Sequence, residues 1–205
     1  MGRWYMVRHG ETPWNAEGRI QGQTDIPMHD GGREAASLTG ARLADIRFDA
    51  VYASDLSRTR ETAELILAAQ TAAPPPILTT PKLREIFFGA LEGLTTDELE
   101  AVDPRAARPQ RARDLDYASA GAESFRNLLD RLGAFGAELE AAHAGDDLLV
   151  VGHGGSLRAL IITLLKLPYD ALWRFRGLQP ASLSVVVVDN GIASLTTWND
   201  IGHLA

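Results

Sequence analysis

Short apolar segments alternate with segments of helical periodicity along most of this chain, and this alternation limits the folds open to it. Apolar runs typical of buried strands occupy residues 4–7, 49–54, 77–80 and 148–152. Helical spacing occupies residues 33–44 (with Asp30 as the expected cap), 56–69, 96–102, 123–143 and 156–165. Residues 182–189 and 192–197 flank Asn190-Gly191, a strong hairpin signal. Strands that alternate with helices form parallel sheets, so the pattern predicts an α/β fold with a largely parallel sheet.

Length and charge narrow the class of protein. The 205 residues are enough for a single domain, and the stretch at about 94–120 is the candidate lid insertion. The net charge of −7 argues against a nucleic-acid partner. The apolar runs are far shorter than the ~20 residues that span a bilayer, and the N-terminus lacks the apolar stretch of a signal peptide. We therefore expect a cytoplasmic protein that does not associate with a membrane.

Two of the predicted strands run directly into a histidine and a glycine. The first gives Arg8-His9-Gly10-Glu11-Thr12. The chain has no cysteine, which removes disulfides, thiolate metal sites and a cysteine nucleophile. A histidine at a strand end can attack phosphorus to form a phosphohistidine, and a neighbouring arginine can neutralise the phosphoryl charge. The alternative is a buried polar histidine next to a surface arginine.

The second strand of this kind gives Val151-Gly152-His153-Gly154-Gly155. A protonated His153 would add a positive contact to phosphate oxygens, and Gly154 would free a backbone N–H at a helix start. A dinucleotide-binding loop is excluded, because Leu157 stands where that fingerprint needs its third glycine. Ligands of open α/β sheets bind beyond the carboxyl ends of the strands, so both histidines are expected to point into one crevice.

Two segments between these strands supply further candidates. Arg58 lies in Ser54-Asp55-Leu56-Ser57-Arg58, at a helix start where the dipole favours anions. The alternative is an ordinary capped helix with a solvated face. Glu85 lies between apolar residues in Leu83-Arg84-Glu85-Ile86, and burial beside phosphate would raise the pKa of its carboxyl and suit it to general acid catalysis. The alternative is a surface salt bridge between Arg84 and Glu85.

The four motifs, in the order in which they occur along the chain, resemble those of the histidine phosphatase superfamily, also called the phosphoglycerate mutase-like family. The chain looks like the phosphatase branch of that superfamily. The resemblance runs from Val7 to the tail at His203. It implies a three-layer α/β sandwich, with a mostly parallel mixed sheet flanked by helices and a small inserted lid. It implies no metal and no other cofactor.

The resemblance also implies roles for individual residues. His9 would be the phosphorylated nucleophile, and Glu85 would protonate the leaving group and then activate water. Arg8, Arg58 and His153 would form the phosphate pocket. Further contacts to the phosphoryl group or substrate would come from Thr12, Asn15, Gln21, Gly22 and Gly154. Two departures from the family pattern, Leu91 in place of tryptophan and Ala122 in place of glycine, concern substrate details and leave this set intact.

Three functions remain open on the sequence. The first is a phosphatase for a small phosphorylated metabolite, such as the family's broad-specificity phosphomonoesterases or α-ribazole phosphatase, acting as a monomer or homodimer. The second is a cofactor-dependent phosphoglycerate mutase, for which the arginines at 105, 108, 111 and 113 would grip the substrate, unless Asp114 and Asp116 balance them on a solvated face. The third is a non-catalytic protein that binds a phosphorylated ligand. The compact chain favours the phosphatase, with a pH optimum below neutrality.

Overall fold

The computed structural model describes residues 1–107 and 113–205. Its strands are β1 (Gly2–Arg8), β2 (Ala50–Ser54), β3 (Ile77–Thr80), β4 (Leu148–Gly152), β5 (Leu183–Asp189) and β6 (Ile192–Asp200). Its α-helices are α1 (Pro13–Ala16), α2 (Asp30–Arg42), α3 (Ser57–Ala68), α4 (Thr96–Val102), α5 (Pro104–Ala107), α6 (Phe125–Ala142) and α7 (Gly154–Leu164). Single 3₁₀ turns lie at Pro81–Leu83, Gly89–Leu91, Tyr169–Trp173 and Gly202–Leu204.

The strands form one six-stranded sheet in the order β3-β2-β4-β1-β5-β6. The four strands β3, β2, β4 and β1 are mutually parallel, and β5 runs antiparallel to both β1 and β6. The hairpin between β5 and β6 turns at Asn190 and Gly191, with φ of 51° and 74°, as a type I′ turn requires. The mixed, mostly parallel sheet predicted from the sequence is confirmed.

The sheet is covered by helices on both faces. Trp4 and Met6 of β1 pack in one core with α6 and α7, while the alternating Tyr5 and Val7 pack in a second core with α3. Strands buried on both faces need apolar side chains at every position, which is why residues 148–151 form an unbroken apolar run. The result is the predicted three-layer arrangement.

Two helices begin earlier than the sequence predicts. Helix α2 begins at Asp30, and its cap is His29, whose Nδ1 accepts a hydrogen bond from Gly32 N at 3.1 Å. The expectation that Asp30 is the cap was wrong. Helix α7 begins at Gly154, two residues before the predicted start, because the Ser156 hydroxyl accepts from His153 N at 3.1 Å and caps the first turn.

The segment at about 94–120, which the sequence predicts as a lid, contains α4, α5 and a cluster of hydrogen-bonded polar side chains. Asp103 accepts hydrogen bonds from Tyr117 Oη at 2.7 Å and from Ser119 Oγ. Arg105 pairs with Asp114 at 2.5 Å and lies over the Tyr117 ring, 4.0 Å from its centroid. For Arg105 the structure therefore agrees with the balanced, solvated alternative, whereas Asp116 pairs with Arg126 on α6. Arg108 and Arg111 lie outside the described residues. Within those residues, none of the helices has the length and apolar character needed to cross a membrane.

Candidate active site

The two histidines meet at the carboxyl ends of the neighbouring strands β1 and β4. Arg8 pairs with Gly152 in the parallel register, and His9 N donates to Gly152 O at 3.0 Å. The His9 and His153 rings lie 5.1 Å apart between centroids, and both side chains are almost fully buried. The expectation that both histidines point into one crevice is confirmed.

His9 is held as a neutral imidazole with one free nitrogen. Its Nδ1 lies 2.7 Å from Gly10 O, and because a carbonyl only accepts, Nδ1 carries the proton and Nε2 keeps its lone pair. Burial, reinforced by the charges of Arg58 and Arg8, holds the pKa of His9 well below 6.5. His9 is therefore a neutral imidazole at neutral pH, with a free lone pair on Nε2.

Arg58 is buried beside the histidines and is oriented by the backbone of the loop that follows α1. Its Nη2 and Nη1 donate to Gly22 O and Thr24 O, both at 2.8 Å, and only 1% of the side chain is exposed. Burial lowers the pKa of Arg58 to about 10, so the guanidinium remains charged at neutral pH. Arg8 is held through Nη1 by Leu178 O, and its Nε is buried without an acceptor in residues 1–107 and 113–205.

His153 presents a donor to the crevice without carrying a positive charge. Its Nδ1 accepts from Arg58 Nε at 3.3 Å, which leaves the proton on Nε2. That Nε2 is buried and has no partner among the described residues. Burial and the charge of Arg58 hold the pKa of His153 well below 6.5. The condition that His153 be protonated is therefore not met in this structure, in which the neutral ring presents its Nε2–H to the crevice.

The Glu85 side chain, from the turn after β3, packs against the N-terminus of α7. Its carboxylate accepts hydrogen bonds from Gly155 N at 2.8 Å, Ser156 N at 3.1 Å and Ile86 N at 2.9 Å. Three of its four lone-pair sites are thus used, and one remains for a proton. The suggested salt bridge to Arg84 is not formed, because Arg84 pairs with Asp55 at 2.6 Å. The glycine at 155 makes this approach feasible, since a Cβ there would lie 2.3 Å from Glu85 Oε1.

These side chains surround a cavity of about 180 Å³. It is lined by Arg8, His9, Asn15, Ile20, Gln21, Gly22, Arg58, Glu85, Phe88 and His153. The structure thus brings together nearly all of the residues predicted from the sequence, and adds Ile20 and Phe88. Gly154 does not line this cavity but lies beside Arg8, where a Cβ would be 3.7 Å from Arg8 Nε.

Thr12 has a different place from the one expected. It is fully buried and does not line the cavity. Its hydroxyl bonds to Gln21 at 2.9 Å and caps α1 by accepting from Asn15 N at 3.3 Å. The prediction of a direct phosphate contact is corrected to a positioning role, in which Thr12 orients Asn15 and Gln21.

Glu92 is a site residue that the sequence reasoning missed. Its carboxylate accepts from Gln23 N and Thr24 N, both at 2.9 Å, and from Phe88 N at 3.1 Å. It fixes the loop whose carbonyls orient Arg58, and Gly22 has φ of +54° where that loop passes Glu92. The sequence contained Glu92-Gly93 but no signal for this pairing across about 70 residues of chain.

Comparison with known proteins identifies the family. The family model of the histidine phosphatase superfamily (branch 1) matches residues 4–201. The chain belongs to this superfamily. A metal-independent phosphoserine phosphatase of Arabidopsis thaliana is 36% identical over 203 residues, 98% of this chain and 82% of that protein. A probable phosphoglycerate mutase, GpmB of Escherichia coli O1:K1, is 35% identical over 98% of this chain and 94% of its own length.

The solved structure of YhfR from Bacillus stearothermophilus has the same fold, with a TM-score of 0.88, 32% identity and full coverage of both chains. The predicted superfamily, its fold and a phosphomonoester-hydrolysing enzyme are confirmed. In the part of the chain that is described, no three His, Cys, Asp or Glu side chains are grouped to hold a metal ion.

Proposed function

We propose that this chain hydrolyses small phosphorylated metabolites in the cytoplasm, without a metal, by passing the phosphoryl group from the ester to His9 and then to water. The observation that carries the proposal is the neutral His9, whose Nε2 lone pair is free beside the half-buried Arg8 and the buried Arg58. A neutral nucleophile and an anion pocket are the two requirements of phosphoryl transfer to nitrogen.

In the first step, His9 Nε2 attacks phosphorus and the bond to the ester oxygen breaks. Arg8, Arg58 and the Nε2–H of His153 supply donors for the non-bridging oxygens as charge builds on them. A proton held at the open lone pair of Glu85 passes to the departing ester oxygen, which leaves as a neutral alcohol. Glu85 is then a carboxylate and His9 carries the phosphoryl group.

In the second step, water attacks the phosphohistidine. Glu85 takes a proton from that water as the nitrogen–phosphorus bond breaks, which restores a neutral His9 and releases inorganic phosphate. Glu85 thus serves as acid and base in turn, and the three backbone N–H groups that bind it hold its carboxylate in one place for both steps.

The test is to trap the intermediate. Purified protein is mixed with a phosphate monoester in the presence of EDTA and quenched in base, where phosphohistidine survives, and the His9 peptide is examined by mass spectrometry. We expect a phosphoryl group on His9 and phosphate release unaffected by EDTA. His9→Ala should abolish both, whereas His143→Gln, at the opposite end of the sheet, should leave both intact. Phosphate release that survives His9→Ala would remove His9 from the reaction.

A phosphoglycerate mutase is the second candidate, because the Escherichia coli relative is named as a probable one. A mutase would pass the phosphoryl group from His9 to another hydroxyl and keep water out. Incubation with 3-phosphoglycerate and catalytic 2,3-bisphosphoglycerate separates the two: rapid 2-phosphoglycerate formation with little free phosphate favours the mutase. The ion pair between Arg105 and Asp114 favours the phosphatase, since it occupies one of the lid arginines.

A further inference from the structure

A second cavity, of about 240 Å³, adjoins the catalytic one. Arg8, Glu85 and Phe88 line both cavities, and Arg158 lines only the second. An ester with its phosphate at His9 and its leaving oxygen at Glu85 therefore extends its alcohol portion toward this adjoining space. The side chains that line it can therefore determine which alcohol portions the enzyme accepts.

Arg158 reaches this cavity from helix α7. It follows Gly154 by four residues and Gly155 by three, so it lies on the same face of the helix. Helical side chains lean toward the helix N-terminus, which directs the guanidinium over the glycine turn that binds Glu85. Because neither glycine has a side chain, nothing on that turn separates Arg158 from the cavity.

The Arg158 guanidinium forms no ion pair with the residues that the structure describes. Its Nε is buried without an acceptor, and no carboxylate of residues 1–107 and 113–205 lies within ion-pair distance of it. Burial lowers its pKa, with Glu85 acting against that effect, but an arginine remains protonated in proteins. Arg58, by contrast, donates to two backbone carbonyls. Cations that are largely withdrawn from water are normally paired, so Arg158, which is half-buried and lines a cavity without an ion pair, points to an anionic ligand.

We propose that Arg158 binds a carboxylate on the alcohol portion of the substrate, so that the enzyme prefers phosphate esters with a carboxylate close to the ester carbon. This inference rests on the proposed phosphatase function. A carboxylate matches the planar fork of a guanidinium. A second phosphate would bring more negative charge beside Glu85, and the apolar Phe88 and Phe125 that line the cavity offer it no further donors.

The experiment uses two matched pairs of esters. O-Phosphoserine is compared with O-phosphoethanolamine, and 3-phosphoglycerate with glycerol 3-phosphate; in each pair one member lacks the carboxylate. We expect the wild type to prefer the carboxylate-bearing member in kcat/KM by about 10- to 100-fold, the range for charge-assisted hydrogen bonds. Arg158→Met should remove this preference through a higher KM for that member alone. Arg42→Met, at the exposed end of α2, is the control and should keep the preference.

The remaining outcomes also decide the question. A wild type without the preference would overturn the inference while leaving the phosphatase function standing. So would an Arg158→Met variant whose kcat/KM falls equally for both esters of a pair. If Arg158→Met does not fold, Arg158→Lys takes its place: it keeps the charge but not the fork, and an unchanged preference would contradict the proposal. Wild-type protein that releases phosphate from none of the four esters would refute the phosphatase function itself.

Discussion

Replacing Gly155 by alanine tests the role of Glu85 without substituting Glu85 itself. A Cβ at position 155 would lie 2.3 Å from Glu85 Oε1 and 3.1 Å from the carboxyl carbon, whereas ordinary contact begins near 3.4 Å. The carboxylate must therefore move by about 1 Å, a misplacement that can cost about 100-fold in rate. It also has to give up its hydrogen bonds to Gly155 N and Ser156 N.

Gly154 provides the matched control. A Cβ at position 154 would lie 3.7–3.8 Å from Arg8 atoms, which is ordinary contact. Both glycines are in the first turn of α7, where alanine favours the helix by up to ~1 kcal/mol, so Gly154→Ala should not melt below the wild type, and thermal melting shows whether Gly155→Ala is folded at the assay temperature. A difference in activity between the two variants then reports on Glu85 alone.

The assay measures the first turnover on two esters. An alkyl phosphate needs a proton on its leaving oxygen, whereas p-nitrophenyl phosphate can leave as the phenolate. We expect Gly155→Ala to slow phosphoryl transfer from the alkyl ester by about 100-fold and to change the nitrophenolate burst by less than about 10-fold. Gly154→Ala should stay near the wild type on both. Equal losses on the two esters, or equal losses in the two variants, would refute the assignment of Glu85 as proton donor.

Three further predictions concern the surrounding residues. Burial lowers the pKa of both histidines, so the free energy of unfolding falls as the pH drops below 6.5. His9→Gln should reduce the slope of the free energy of unfolding against pH, measured in urea, by about 1.4 kcal/mol per pH unit, and an unchanged slope would contradict the burial argument. Glu92→Gln leaves half-buried backbone donors poorly matched. It should lower the free energy of unfolding by about 1 kcal/mol and raise KM, with exposed Glu17→Gln as the control. Arg58→Lys cannot reach both Gly22 O and Thr24 O while facing the phosphate, so we expect kcat/KM to fall at least ~100-fold, and a smaller loss would argue against a direct phosphate contact.

The sequence was most informative about the sheet and the residues at its strand ends. Apolar runs fix which residues form a buried strand, and the ends of parallel strands meet at one edge, so the pairing of His9 with His153 followed from local pattern alone. Arg58 was predicted on the same basis, because it lies one turn after β2. In each case a strand end and a helix start determine the position of the side chain.

Residues whose roles depend on distant partners could not be predicted. Glu92 fixes a loop about 70 residues away in sequence, and Arg84 pairs with Asp55 instead of its neighbour Glu85. Thr12 lies in a motif that predicts a phosphate contact, yet its burial follows from how α1 packs. Arg158 lies within a mostly apolar helical segment, whose sequence indicates a buried helix and gives no sign of a ligand contact. Its direction toward a cavity is set by the tertiary contact between α7 and the turn that carries Glu85.

The position of Glu85 also explains why this carboxylate does not occupy any of the three nearby arginines, of which only Arg58 has an ion-pair partner among the described residues, Asp25 at 4.0 Å. A carboxylate among Arg8, Arg58 and Arg158 would normally form an ion pair with one of them, and the phosphate would then have to compete with it. Here the backbone N–H groups at the start of α7 bind the carboxylate instead, and within the described residues Glu85 makes no ion pair. Gly155 permits this arrangement, because any side chain there would displace the carboxylate from the helix N-terminus. Gly155 therefore affects anion binding as well as proton transfer. In Gly155→Ala, the displaced Glu85 carboxylate would pair with an arginine, and we expect weaker binding of inorganic phosphate. Gly154→Ala should leave that binding unchanged.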